Sequence, residues 1–251
     1  MIGHLFTVVL IEPIYNAFVA LIAYIPGHDA GFAIIALTIL IRLIFLPAFT
    51  QALRTQHGMR RIEPELDAIK EKYKDNKQEQ ARLTMELFKA RGIKPFATFF
   101  SLLIQLPVFI ALYAVFLREG FPQIATHLLY SFTPTPESVG IIFLGILNLT
   151  IPKNIILALL VAGIQFFQSR LSMGAMKAAA NTAKPEKAQA LMIQRQMLYM
   201  IPVVMGIVGY TAPAAAGLYL LTNALITLLQ ELVVRRKIDA QFDALEGKKT
   251  A

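Results

Sequence analysis

One cation interrupts an otherwise apolar run. Arg42 stands in Ile39-Leu40-Ile41-Arg42-Leu43-Ile44-Phe45, near the middle of the stretch Gly31–Gln51. A guanidinium carries five donors and stays protonated, so inside hydrocarbon it must be solvated by water, lipid headgroups or neutral side chains. Placing an arginine at the centre of a spanning helix costs about 2.5–3.5 kcal/mol on insertion scales. The usual remedy is a carboxylate, but the five strong apolar stretches from Gly31 onward hold no Asp or Glu except Glu231, at the end of the last one; the more ambiguous stretch before them, His4–Ile25, holds Glu12. Neutral polar side chains do occur in them: Gln105, Gln165, Gln168, Thr222 and Asn223. Singly, each reads as glue between helices, worth about 0.6 kcal/mol. Together with Arg42 they point to a hydrated, positively charged recess, which attracts anions and does not suit cation transport.

Other chemistry is scarce. His4, His28, His57 and His127 are scattered and form no H-E-x-x-H motif, and no G-x-S-x-G occurs. Gly247-Lys248-Lys249-Thr250 imitates the end of a phosphate-binding loop but lacks its upstream glycine. Asn148-Leu149-Thr150 matches a glycosylation triplet, a common coincidence. No enzyme active site, metal or cofactor is expected. The absence of cysteine excludes disulfides, and with no basic leader a cleaved signal peptide is not expected.

The elements that would hold these residues follow from hydropathy. With 56% hydrophobic residues in 251, the chain is too apolar for a soluble domain, and crossing about 30 Å of hydrocarbon takes roughly 20 mostly apolar residues. The expectation is an all-α polytopic membrane protein: an N-terminal apolar helix in 1–30, then spans at 31–51, 96–117, 154–173, 197–211 and 212–234. A further apolar stretch, Gly140–Leu149, is too short to span. His4–Ile25 either spans or lies along the surface as an interfacial helix; Glu12-Pro13 favours the surface.

Charge sets the orientation. Residues 1–41 contain no Lys or Arg, the segment 52–95 holds eleven, 118–153 holds two, 170–196 holds five, and the tail 235–251 holds five. Basic and non-basic connections alternate as the positive-inside rule requires. That predicts the N-terminal region and the loop 118–153 outside, with the segment 52–95, the loop 174–196 and the tail 235–251 in the cytoplasm. The net charge of +8 is then an orientation signal, and no DNA binding is expected. Within 52–95, Met59, Ile62, Leu66, Ile69 and Tyr73 step by three and four, Asp75-Asn76 breaks the pattern, and a second helix with Ala81, Met85 and Phe88 on one face ends at Gly92. This predicts a charged helical hairpin decorated by pairs such as Glu79/Arg82.

Four ordered stretches carry a resemblance: GFAIIALTILIRLIFLP (31–47), EPELDAIKEKYKDNK (63–77), SLLIQLPVFIALY (101–113) and PAAAGLYLLTN (213–223). Together they resemble the YidC/Oxa/Alb membrane protein insertases, in a short form without the large periplasmic domain. The resemblance implies five core helices around a hydrophilic groove, a cytoplasmic helical hairpin as a mobile arm, and an outer interfacial helix at His4–Ile25. Arg42 would be the groove arginine that attracts acidic extracytoplasmic tails of incoming membrane proteins. Gln168, within GIQFFQSR, would be a polar groove position, with Gln105, Gln165, Thr222 and Asn223 around it. The lipid bilayer and newly made membrane proteins are the implied partners, with a Sec translocon and the ribosome as further candidates, in a bacterial-type cell membrane. The chain departs from the pattern at Leu220, where relatives often carry Trp. The competing reading from chemistry alone is a small transporter or channel for an anionic solute, which predicts an inverted repeat that the sequence does not display.

Overall fold

The computed structural model describes residues 2–117, 121–173 and 185–247; Arg118, residues 174–184 of the expected loop and residues 248–251 of the expected tail lie outside the described residues. In chain order the helices are α1 (Ile2–Phe6), α2 (Glu12–Tyr24), α3 (Ala30–Ile44), α4 (Leu46–Arg61), α5 (Glu63–Lys72), α6 (Lys77–Ala90), α7 (Ala97–Leu117), α8 (Ile155–Met173), α9 (Pro185–Thr211) and α10 (Ala214–Gly247). Two short strands, β1 (Ile142–Phe143) and β2 (Leu147–Asn148), pair antiparallel between α7 and α8. The chain divides into two compact units, Met1–Leu43 with Gln105–Leu228, and Ile44–Ile104 with Leu229–Ala251.

In the first unit, α1 passes into α2 through a π-helical turn, Thr7–Ile11, in which the Glu12 N–H donates to the carbonyl of Thr7. Pro13 explains the widened turn: it has no N–H for the carbonyl four residues back, and its ring crowds that carbonyl. Phe18, Val19 and Ile22 of α2 are buried in one core with Ile34 and Leu37 of α3, Leu112 of α7 and Tyr219 of α10. Ala214, Ala215 and Ala216, all buried, open α10 with side chains small enough for close backbone approach. Asp29 caps α3 by accepting from the N–H groups of Gly31 and Phe32. The segment after α7 is tied to α2 by polar contacts: Asn16 donates to the carbonyl of Leu128 and accepts from Tyr130 N–H and the Thr133 hydroxyl, and Ala125 N–H donates to the Tyr15 hydroxyl.

The stretch expected as one helix over 31–51 is divided. Regular helix ends at Ile44 and resumes at Leu46, because Pro47 cannot donate to the carbonyl of Leu43 and its ring clashes there. Two other boundaries also move: α9 is helical from Pro185, well ahead of Met197, and α10 continues through most of the basic tail to Gly247.

The second unit has its own core, made by Ile62, Leu66, Phe88, Ile93, Val234 and Ile238. The seam Met59, Ile62, Leu66 lies in or against it. On α6 the inward face differs from the expected one: Phe88 is buried and Leu87 packs alongside, whereas Ala81 and Met85 are exposed. Asn76 caps α6 by accepting from Glu79 N–H. The helix closes with Ile93 N–H reaching back to the carbonyl of Phe88 at 2.9 Å, which seats Ile93 in the same core. Glu231 of α10 is fully buried and faces His57 of α4 at 3.5 Å, with Gln230 donating to the Thr50 hydroxyl nearby.

By length and composition His4–Tyr24 and Ala214–Ala240 each suffice to cross a membrane, the broken pair Ala30–Ile44 with Leu46–Met59 makes a third, and Leu103–Ala114, Ile155–Leu171 and Tyr199–Thr211 are shorter apolar helices. The fold is that of an α-helical membrane protein, with a small β-hairpin among the described residues.

Candidate functional site

Tyr219, Asn223 and Thr227 recur every four residues along α10, so they stack on one face of that helix. Arg42 meets this face. Its Nε donates to Asn223 Oδ1 at 2.9 Å and one terminal nitrogen donates to the same oxygen at 2.7 Å. That terminal nitrogen also donates to the Thr227 hydroxyl and, at 3.4 Å, to the carbonyl of Asn223. Thr227 can accept because its own proton is committed to the Asn223 carbonyl at 2.7 Å. Arg42 as a residue is 7% exposed, so it has little access to solvent within the fold.

Because α3 ends at Ile44, Arg42 lies in its last turn, where the unsatisfied carbonyls of a helix C-terminus favour a cation. At 1.5 Å rise per residue Arg42 is about 18 Å along α3 from Ala30, and Asn223 about 14 Å along α10 from Ala214. Those two starts lie at the same end of the unit, since the segment 140–149 bonds to both: Ala30 N–H to the carbonyl of Gly140, and Ala215 N–H to the carbonyl of Leu149. The charge is therefore roughly half a hydrocarbon thickness below that end.

One turn nearer the start of α10, the Gln105 amide donates to the Tyr219 hydroxyl at 2.8 Å. Thr222, buried, bonds back to the carbonyl of Leu218 at 2.8 Å and so spends its proton within its own helix. Gln165 and Gln168 are half-buried on α8. Among the described residues neither shares a hydrogen bond with the Arg42 cluster. Of the six residues singled out in the sequence, the structure thus joins Arg42 to Asn223 directly and sets Gln105 on the same ladder through Tyr219. Thr227 and Tyr219 were missed. Their signal was available: both are four residues from Asn223.

Among the described residues no group of three or more His, Asp or Glu side chains is placed to hold a metal ion. Among the described residues, the Arg42 cluster consists of one guanidinium with amide, hydroxyl and carbonyl groups around it. It offers a fixed positive charge in a polar ladder between apolar helices.

The family model described as 60Kd inner membrane protein matches residues 21–241. The chain belongs to that family. Proteins named membrane protein insertase YidC are similar over most of the chain. The one from Fusobacterium nucleatum is 30% identical over 82% of this chain and 86% of its own length. One from Bacillus anthracis, named membrane protein insertase YidC 1, is 31% identical over 87% of this chain and 76% of its own. That of Alcanivorax borkumensis is 31% identical over 83% of this chain, which there corresponds to 31% of a longer protein. The matched region of this family member contains every residue of the Arg42 cluster. Its apolar helices and its relatives make it a multi-pass protein of the cell membrane.

Proposed function

We propose that this protein is a membrane protein insertase and chaperone in which Arg42, held by Asn223 and Thr227, supplies the positive charge of a hydrated intramembrane groove. The observation that carries the reading is the site itself: an arginine about halfway along the apolar helices, hydrogen-bonded to neutral oxygens on the polar face of α10. Membership of a family whose relatives are named insertases supports it. Five core helices (α3 with the start of α4, α7, α8, α9 and α10) would line the groove, with Gln105, Gln165, Gln168 and Thr222 as its further polar positions.

The physics is modest and needs no nucleotide. A short polar tail crossing hydrocarbon must shed its water, and an acidic tail sheds the most. A recess that supplies water and one fixed cation shortens the apolar path and offsets part of that cost. The substrate's own helix then partitions into lipid, driven by about 25 cal/mol per Å2 of apolar area removed from water. Substrates are accordingly membrane proteins with short acidic extracytoplasmic tails. The charge pattern supports an orientation with the N-terminal region and the 118–153 segment outside and the C-terminus in the cytoplasm. There the helices α4–α6 would meet substrate, a Sec translocon or the ribosome. The polar contacts of Asn16 and Tyr15 with residues 125–133 support a surface position for α2 on the outer side.

The test is reconstitution of the purified protein in liposomes with a single-span substrate bearing an acidic tail. Insertion well above that of empty liposomes is expected. Equal insertion with and without the protein overturns the reading, and protein-dependent flux of a small anion in its place favours a transporter.

A further inference from the structure

The β1–β2 hairpin has a loop that its backbone should not favour. Phe143 pairs with Leu147, and the Ile146 N–H closes a turn onto the carbonyl of Phe143 at 3.2 Å. The two central residues, Leu144 and Gly145, have φ of 53° and 73°. Turns with positive φ at both centres favour Asn-Gly or Asp-Gly, and a leucine there is strained by its Cβ. The strain puts apolar side chains at the tip: Leu144 is 61% and Ile146 86% exposed. From Glu137 to Lys153 the chain contains no other charged residue. A solvent-facing tip would gain from a polar residue at both positions, so the apolar pair is suited to an apolar medium.

The fold fixes where the tip lies. Phe143, next to it, is buried against α3: a Cβ built on Gly31 would come within 2.2 Å of the Phe143 ring, and Phe32 meets the same ring edge-on at 5.1 Å. Ala30 N–H bonds to the carbonyl of Gly140 and Ala215 N–H to that of Leu149. The hairpin is thus laid against the first turns of α3 and α10. Ile146 is three residues from Leu149, at most about 10 Å of extended chain, which is the depth of the headgroup layer and the first acyl carbons. Beyond Leu149 the exposed Ile151 leads into α8, where Ile155, Ile156 and Leu159 continue an exposed apolar flank. Lys153, exposed at the foot, suits contact with lipid phosphate.

We propose that the Leu144–Ile146 tip is a membrane anchor: it inserts into the leaflet facing the N-terminal ends of α3 and α10 and holds that end of the helices at a fixed depth. The proposal rests on the membrane placement of α3, α8 and α10 but not on insertase activity, and it makes the bilayer, not a second protein, the partner of the tip.

The chain contains no tryptophan and no cysteine, so single reporters can be read without background. In proteoliposomes at low protein density, Ile146→Trp should emit at short wavelength, be quenched at least twofold by acyl-brominated lipid and resist aqueous acrylamide. Ile146→Cys should react with a membrane-impermeant maleimide at least tenfold more slowly than Glu137→Cys, whose site is exposed. Quenching by acrylamide, or indifference to both quenchers as in a protein–protein contact, overturns the anchor. Leu159→Trp on α8 is the control: quenching there by brominated lipid without quenching at Ile146 refutes the anchor alone, and no quenching at either position refutes the membrane placement it rests on.

Discussion

If water reaches Arg42, its bonds to Asn223 are replaceable; if the site is dry, they are not. Asn223 Oδ1 receives two N–H groups, at 2.9 and 2.7 Å. Bonds to a charged donor are worth about 1.5–3 kcal/mol each where nothing replaces them, and stripping one partner from a sealed buried charge costs about 3–5 kcal/mol. In a hydrated recess a water takes the place of the deleted amide, and the loss falls toward the intramembrane average of about 0.6 kcal/mol. A double-mutant cycle separates these cases. Arg42→Met, Asn223→Ala and the double variant would be unfolded reversibly by SDS in mixed micelles, and the coupling energy taken from the four free energies. A hydrated groove predicts coupling below about 1 kcal/mol. Coupling of about 3 kcal/mol or more would mean that the guanidinium is sealed in dry protein, and the case for an aqueous site would collapse.

Three further outcomes follow from individual contacts. Tyr219→Phe removes the hydroxyl that accepts from Gln105 with little change of shape, and should cost about 0.5–1.5 kcal/mol in the same unfolding assay; no loss would mean the bond adds nothing. Ile62, 1% exposed among Leu66, Phe88 and Ile238, should cost about 2–5 kcal/mol when cut to alanine, and hydrogen exchange should rise across α5 and α6; unchanged exchange would show that this core does not hold them. The hydrogen bond and charge of Arg82 hold the Glu79 carboxyl below its usual value, so the pair's contribution is present above the ordinary carboxylate range and fades as pH falls through the lowered value. Arg82→Ala should return the Glu79 titration, followed by carbon NMR, to normal without measurable change in global stability, because Arg82 is exposed and Glu79 no more than half-buried; an unmoved titration contradicts the assignment.

What could be read in the sequence was whatever depends on spacing along one helix. Arg42 stood out because hydrocarbon penalises charge, and Asn223 because few polar residues interrupt the last apolar stretch. Thr227 is recoverable by the same logic, four residues on, but a threonine in an apolar helix usually bonds to its own backbone, and Thr227 does that as well as accepting from Arg42. Gln165 and Gln168 could be placed on α8 but not on a face toward Arg42, since that depends on how α8 rotates against its neighbours. The same limit applies to α6, where Phe88 turns inward as expected but is joined by Leu87 and not by Ala81 and Met85: only the neighbouring core decides between two adjacent faces of the helix. The break at Phe45 has a signal in Pro47, but hydropathy alone made 31–51 a single span. The β-hairpin was not announced at all, because Leu144-Gly145 lacks the polar turn residue that signals such loops and an apolar run of that length reads as core.

The measurement that bears most directly on the proposed function couples Arg42 to the charge of the substrate. Insertion rates in proteoliposomes would be compared for one single-span substrate with an acidic tail and with the matching amide tail, in the parent protein and in Arg42→Lys and Arg42→Gln. An electrostatic role for Arg42 predicts faster insertion of the acidic tail by the parent, most of that advantage kept by the lysine variant, and none by the glutamine variant. An advantage of the same size in Arg42→Gln would show that the arginine holds α3 to α10 and does not act on the substrate.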